Sequence, residues 1–322
     1  MPVPGPGEAL VRTRACGICT GDLMGWYMQR KAPIVFGHEP SGEIVEVGTG
    51  VERFKPGDRV FVHHHAPCGS CRRCRRGLHV HCKTWRETAL RPGGMAEYFA
   101  VPAANLDGDT LELPAAVGYE AGSLVEPTAC VVKSLARGAV TAADVVVVVG
   151  VGIMGQLHVA LAAARGARVI AADMVDFRLR RAREVGAADT IDVRRTPLAD
   201  GVAELTDGAM ADVVIVGPGS IAAMEAGIEA AGAGGRVVLF TTSQPDERLA
   251  VSPFKLYFDE ISLVPSYSCG PDDTREALRL IEQGRVPIDQ LVTHRFNLDE
   301  VDRALKVAAD VDEALKTLVV FD

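Results

Sequence analysis

Val145-Val146-Val147-Val148-Val149-Gly150-Val151-Gly152-Ile153-Met154-Gly155 decides the architecture of this 322-residue chain. Five valines in a row suit a strand buried on both faces, and the glycines that follow have the spacing G-x-G-x-x-G. That spacing has a mechanical reason. Gly150 makes a tight turn, Gly152 lets the backbone approach a pyrophosphate, and Gly155 lets the next helix pack on the strand with its N-terminus facing the negative charge. Glycines also mark ordinary strand-to-helix turns, so context decides. A helix-like stretch, Gln156–Arg165, follows, and a second apolar strand, Arg168–Ala172, ends at Asp173. A carboxylate about twenty residues after the motif is placed to accept ribose hydroxyls. The competing reading of Asp173 is a helix cap or a solvated strand end. The expected dinucleotide site therefore comprises Gly150, Gly152, Ile153, Met154, Gly155 and Asp173. An acid at 173 repels a 2′-phosphate, which favours NAD over NADP, and Arg178 and Arg180 are the nearby residues able to blunt that preference.

Working outward, further apolar strands are expected at Asp212–Val216, Arg236–Phe240 and Ile261–Val264, separated by Ala-rich helical segments and the charged helix Arg178–Val185. Strands that alternate with helices and are apolar throughout indicate a parallel sheet covered on both faces. Upstream, residues 1–119 are rich in Gly and Pro, with alternating stretches such as Gly42-Glu43-Ile44-Val45-Glu46-Val47 and turns at Lys55-Pro56-Gly57-Asp58 and Arg91-Pro92-Gly93-Gly94. This reads as an irregular β domain. The chain closes with an amphipathic helix, Asp299–Ala309, and a strand, Leu318–Phe321. The expected division is an α/β nucleotide-binding domain over 120–267 and an irregular β domain made of 1–119 and 268–322.

A net charge of −8 argues against non-specific nucleic-acid binding. The basic cluster Arg72, Arg73, Arg75 and Arg76 is the local exception and reads as a solvated loop between cysteines. No apolar stretch approaches a membrane span, and Met1–Leu10 lacks the pattern of a signal peptide. Most of the eight cysteines are clustered, which reads as metal binding rather than disulfides, and a cytoplasmic location follows.

Cys68-x2-Cys71-x2-Cys74-x7-Cys82 places four thiols in one loop, which suits the closed tetrahedral arrangement of a structural zinc. Iron–sulfur ligation has similar spacings, but nothing else in the chain suggests electron transfer. A second constellation is dispersed: Gly17-Ile18-Cys19-Thr20-Gly21-Asp22, then Gly37-His38-Glu39, then Glu126-Pro127 at the start of a helix-like stretch. Each piece alone is unremarkable, since a lone Cys is usually a small core hydrophobe.

Taken in order, the Gly-Ile-Cys, Gly-His-Glu, four-cysteine, Glu-Pro and G-x-G-x-x-G elements resemble the zinc-containing medium-chain dehydrogenases, especially the sorbitol and threonine dehydrogenase branch. The resemblance covers essentially the whole chain. It implies a GroES-like catalytic domain beside a Rossmann domain, two zincs per chain, and NAD. By this resemblance Cys19 and His38 are catalytic zinc ligands, and Glu126 stands where the branch has glutamate and liver-type enzymes have cysteine. Glu39 is the neighbour able to swing onto the metal or hold a water, and Asp22 fixes the tautomer of His38. Val216, Gly217 and Pro265-Ser266-Tyr267 match places where the family lines the nicotinamide. The implied reaction removes hydride from a secondary alcohol held at a Lewis-acidic zinc and passes it to nicotinamide. A polyol, sugar or cyclitol is the expected alcohol or ketone partner; the alternatives are threonine-type amino alcohol oxidation and a non-catalytic NAD-binding relic. The family also implies a homodimer or homotetramer built through the nucleotide-binding domain.

Two departures stand out. The family's relay hydroxyl lies two residues after the ligand cysteine, where this chain has Gly21, with Thr20 one position early. A water chain with Glu39 is the expected relay, ahead of Thr20. The family's opening hairpin of about twenty residues is also not found before the Pro4-Gly5-Pro6-Gly7-Glu8 segment, so the expectation is a late start or an uncovered sheet edge. Within His63-His64-His65 one residue is expected to face the substrate and the others solvent, since strand neighbours point to opposite faces. His63 and Glu97 are candidate substrate contacts. Cys16, Cys130 and Cys269 are expected as buried structural thiols, and His79 and His81 as solvent-facing.

Overall fold

β-Branched side chains pack well on a pleated surface and lose rotamer freedom in a helix. In the computed structural model, which describes all 322 residues, Val145–Val149 is accordingly a strand whose last four residues are buried. The chain divides into two units. The first begins with strands β1 (Ala9–Gly17), β2 (Glu39–Val47), β3 (Arg59–Val62), β4 (Tyr98–Val101) and β5 (Thr110–Glu112). The second carries β6 (Val145–Val149), β7 (Arg168–Asp173), β8 (Asp189–Asp192), β9 (Ala211–Val216), β10 (Ala231–Leu239) and β11 (Ser262–Pro265). The chain then returns to the first unit with β12 (Val292–Asn297) and β13 (Lys316–Val320).

The second unit is a six-stranded parallel sheet in the order β11-β10-β9-β6-β7-β8. The chain runs outward from β6 on one side, then crosses to β9 and runs outward on the other. The switch point therefore lies at the C-terminal end of β6, where open α/β sheets bind ligands. Val147, Ile170, Val214 and Val237 fill one face, packed under Leu198 and Val202 of one helix and Met224 and Ile228 of another. Each such side chain contributes about 1.5–3 kcal/mol by leaving water.

In the first unit the order is β12-β13-β1-β2-β3-β5, with β4 also on β1. β1 and β2 run antiparallel and pair Gly17 with Glu39, while β13 flanks β1 on its other side and pairs Leu318 with Gly17. Val11, Ile44, Val60, Val62 and Phe99 form its core.

The first unit runs to Ala129, ten residues beyond the expected 119, and residues 285–290 group with the second unit instead of the first. Helix Val125–Arg137 carries the chain from one unit to the other, so Glu126 belongs to the first. Strand β8 has no counterpart in the expected elements: only Ile191 of its four residues is buried, and two are acidic.

Candidate active site

The pairing of β1 with β2 assembles the first constellation. Cys19 lies two residues past the end of β1 and caps a short turn, Thr20–Leu23, its Sγ accepting from Gly21 N at 3.3 Å. His38 immediately precedes β2. Because Gly17 faces Glu39 in the register, Cys19, His38 and Glu39 come together with ligand atoms within 4.8 Å of one another. Asp22 Oδ1 lies 3.3 Å from His38 Nδ1, which leaves the other ring nitrogen for a metal. Burial opposes a charged His38, but Cys19 and Asp22 outweigh it and hold the imidazole well above its ordinary value. Glu39 is 1 % exposed and ion-paired with Lys316, whose Nζ also donates to Ile18 O at 3.0 Å. Gly17 makes this possible. A Cβ there would sit 1.8 Å from Glu39 Oε2 and 2.7 Å from Lys316 Cε.

The four-cysteine loop is a second centre. Cys68, Cys71, Cys74 and Cys82 have all their sulfurs within 4.8 Å, with Cys71–Cys74 at 3.5 Å and Cys68–Cys74 at 4.0 Å. A tetrahedral zinc with four thiolates requires about 3.8 Å between sulfurs. Hydrogen bonds from Ser70 bring the Cys68 thiol down to about 6, whereas burial pushes Cys74 up to about 12. Four thiols crowded in this way ionise together only around a cation, so the donor set fits the metal. Trp85 and Val80 pack beneath Cys74 and Cys82.

In the second unit Gly150 adopts φ 78°, a left-handed turn open to glycine, and a Cβ on Gly155 would lie 2.2 Å from Gly150 O. Helix Ile153–Ala164 starts directly after the turn, which takes in Met154. Asp173 ends β7 and is 6 % exposed; its Oδ2 accepts from Val151 N at 2.7 Å, and its Oδ1 accepts from Met174 N and Val175 N. The carboxylate is thus tied to the glycine turn itself.

Two family models match this chain: the alcohol dehydrogenase GroES-like domain over residues 5–115 and the zinc-binding dehydrogenase domain over 150–283. A sorbitol dehydrogenase of Halalkalibacterium halodurans is 33% identical over 99% of this chain and 93% of its own. The chain belongs to the zinc-type medium-chain dehydrogenase family. An L-threonine 3-dehydrogenase of Pyrococcus horikoshii is 32% identical over 95% of this chain and 89% of its own. Among solved structures, a zinc-binding dehydrogenase from Sinorhizobium meliloti bound to NADP superposes with TM-score 0.90 at 31% identity, covering 99% of this chain and 94% of the other. An Escherichia coli alcohol dehydrogenase complexed with NADH gives 0.89 at 29%, covering 100% and 94%. This zinc-type dehydrogenase is therefore an oxidoreductase acting on alcohols, and none of its helices is long and apolar enough to cross a membrane.

Several residues of the dehydrogenase lie elsewhere than expected. Glu126 comes within 4.8 Å of His63 and Cys269, a separate cluster from Cys19–His38–Glu39, although its charge is felt by both Glu39 and Lys316. Of the three consecutive histidines only His63 is fully buried, and His64 and His65 are half-buried. His63 is fully buried against Asp109, the His64 ring centroid is 4.9 Å from that of His38, and His65 bonds Thr88 O and packs 4.2 Å from the Trp85 ring. Glu97 lines a groove of about 340 Å³ with Arg12, Asn297 and Asp322, not the ligand cluster. Thr20 is exposed. His79 is half-buried against Gly270, while His81 is exposed; Cys16 and Cys269 are buried, but Cys130 only partly.

Sequence reasoning missed Lys316, Asp109 and Gln156. Lys316 lies outside the expected strand Leu318–Phe321, and only its burial beside Gly17 reveals its part. Gln156 Nε2 donates to Val151 O and Arg178 O, bracing the glycine turn; a glutamine in a helix whose only other polar side chain is His158 was the available signal. Arg178 stands 3.6 Å from where a Cβ of Gly152 would be, and its Nε is buried with no protein partner. Val216 and Gly217 follow at the end of β9, Ser266 Oγ is buried without a protein partner, and Tyr267 is 57% exposed.

Proposed function

We propose that this dehydrogenase oxidises a secondary hydroxyl of a polyol, sugar or cyclitol with NAD, or reduces the corresponding ketone. The observation that carries the reading is the cluster of Cys19, His38 and Glu39, a thiol, an imidazole and a carboxylate suited to a zinc with an open position. Cys19 and His38 would hold the metal, with Glu39 or, by family resemblance, Glu126 as the carboxylate. When bound, zinc supplies Lewis acidity to a substrate hydroxyl and NAD supplies the hydride acceptor. The chain's own residues do the positioning. Asp22 orients His38, and Lys316 offsets part of the burial that raises the pKa of Glu39. His64 favours a polyhydroxy substrate: its Nδ1 is buried without a protein partner next to His38, available to a second hydroxyl. Turnover of polyols, amino alcohols and simple secondary alcohols, followed by NADH absorbance, tests the reading. Polyols should lead the panel, and preference for L-threonine would favour amino alcohol oxidation instead.

NAD is preferred to NADP in this reading because the Asp173 carboxylate is fixed by three backbone N–H groups, so a 2′-phosphate beside it meets an immovable acid. Arg178 then serves the pyrophosphate over Gly152. Asp173→Ala should raise KM for NAD at least about tenfold while narrowing the NAD/NADP ratio of kcat/KM, through loss of one charged hydrogen-bond acceptor. Equal kcat/KM values for NAD and NADP in the unaltered enzyme would refute the assignment.

For the proton, the exposed hydroxyl of Thr20 is a poor relay, since solvent competes for it. A water chain ending at buried Glu39 is the proposed route. Thr20→Ala should cost less than about tenfold in kcat and Glu39→Gln about 10² or more, the usual range for general acid–base catalysis. Melting temperatures of both variants separate chemistry from folding, and the reverse order of effects would exclude the route.

We also propose association of two or four copies through the second unit. Strand β11 is an open edge of the parallel sheet, and Phe254, Tyr257 and Phe258 cluster on helix Pro253–Phe258 at 72%, 76% and 65% exposure. An exposed aromatic cluster of this kind marks an interaction surface. Light scattering should give a dimer or tetramer for the unaltered chain and a monomer for Phe258→Asp; a monomeric unaltered chain contradicts the proposal.

A further inference from the structure

Three side chains far apart in sequence meet in the first unit: His63 just past β3, Glu126 in the first turn of helix Val125–Arg137, and Cys269 two residues before helix Pro271–Glu282. All are buried, at 0%, 6% and 0% exposure, and their ligand atoms lie within 4.8 Å of one another. We propose that His63 Nε2, Cys269 Sγ and a carboxylate oxygen of Glu126 bind a further zinc-class cation, distinct from those at the four-cysteine loop and at Cys19–His38.

The geometry supports a metal in three ways. His63 Nε2 and Cys269 Sγ are 3.6 Å apart. Zinc–nitrogen and zinc–sulfur bonds of about 2.0 and 2.3 Å at a tetrahedral angle give a separation of about 3.5 Å, close to that contact. The imidazole is also prepared as a ligand. Asp109 Oδ2 lies 2.7 Å from His63 Nδ1, and Asp109 Oδ1 accepts from the Thr274 hydroxyl, so Nδ1 is engaged by Asp109 and Nε2 is the nitrogen turned to Cys269. A carboxylate hydrogen-bonded to the far nitrogen is the arrangement that fixes the ring of metal-bound histidines. Finally, the charges balance: a dication takes up the thiolate and the Glu126 carboxylate, and the thiol proton leaves to solvent on binding.

The backbone at Cys269 is held for this task. Ser268 before it adopts φ 52°, left-handed and strained for a residue with a side chain, and Gly270 after it leaves room for His79 of the four-cysteine loop, which a Cβ would meet at 2.6 Å. An ion here would tie the returning segment 268–284 to β3 and to the start of helix Val125–Arg137. A carboxylate has two oxygens, so a ligand role for Glu126 here does not bar one at the neighbouring set.

The test uses crystals of the full chain, purified without chelator and soaked in zinc chloride, with data on both sides of the zinc absorption edge. Three anomalous peaks are expected: one in the four-cysteine loop, one at Cys19–His38, and one between His63 Nε2, Cys269 Sγ and Glu126. No peak at the third position overturns the proposal, and the His63–Cys269 contact is then a thiol–imidazole hydrogen bond. In solution, elemental analysis should give three zincs per chain, two in Cys269→Ser and one in the Cys19→Ser/Cys269→Ser double variant. An unchanged count in folded Cys269→Ser also overturns it. Should that variant fail to fold, diffraction from the unaltered chain decides alone. A peak here with none at Cys19–His38 would uphold this site while counting against the proposed reaction, so the two readings fail separately.

Discussion

Cys19→Ser should lower kcat/KM for alcohol oxidation by about 10³-fold or more, equivalent to about 4 kcal/mol of transition-state stabilisation, and lower zinc content by one per chain. The substitution is chosen for what it preserves. Cys19 caps the turn Thr20–Leu23 by accepting from Gly21 N, and serine is a strong N-cap residue, so the local backbone survives. What changes is the donor atom, from a soft thiolate to a hydroxyl that does not ionise near neutral pH. His38 keeps Asp22, and Glu39 keeps Lys316. Melting temperature should therefore move little while steady-state rates collapse. A variant that retained both its metal and more than a tenth of the rate would remove Cys19 from the catalytic set.

Cys82→Ser should have the opposite signature, with a large structural effect. Cys82 is 1% exposed, its Sγ accepts from Cys68 N at 3.4 Å, and it shares a small cluster with Cys74, Val80 and Trp85. That cluster is too small to hold the loop without a metal, and structural zinc contributes about 10 kcal/mol or more to folding in comparable isolated modules. Because the rest of the sheet remains, the loss should appear as local opening: a red shift of Trp85 emission and a melting temperature lower by about 10 °C. The only other tryptophan, Trp26, is already partly exposed and reports little. Unchanged emission and melting would mean that the four thiols hold no metal that matters to the fold.

The parts of this molecule differ in how far they can be read from sequence, and the difference is one of range. Val145–Val149 and Arg168–Asp173 announce themselves because a doubly covered strand is apolar throughout. Strand β8, Asp-Thr-Ile-Asp at the sheet edge, buries too little to carry that signature. The four-cysteine loop is legible because its ligands lie within one turn-rich stretch. Cys19 and His38 are joined only by strand register, so spacing alone says nothing about them and family resemblance had to supply the pairing. His63 and Cys269, 206 residues apart, have no local signature at all. Lys316 was invisible for another reason: lysine is almost always solvated, and its exception depends on the missing side chain of Gly17.

The place of β13 has a consequence for biosynthesis. Gly17 and Ile18 are held by Leu318 and Thr317, and Glu39 finds its counter-charge in Lys316. A ribosome therefore releases most of the nucleotide-binding body, residues 130–267, as one stretch, whereas the amino-terminal body must wait, partner strand missing and one buried acid uncompensated, until residues 316–320 have been made. Nascent chains stalled before residue 316 should be protease-resistant in the middle and sensitive at the front.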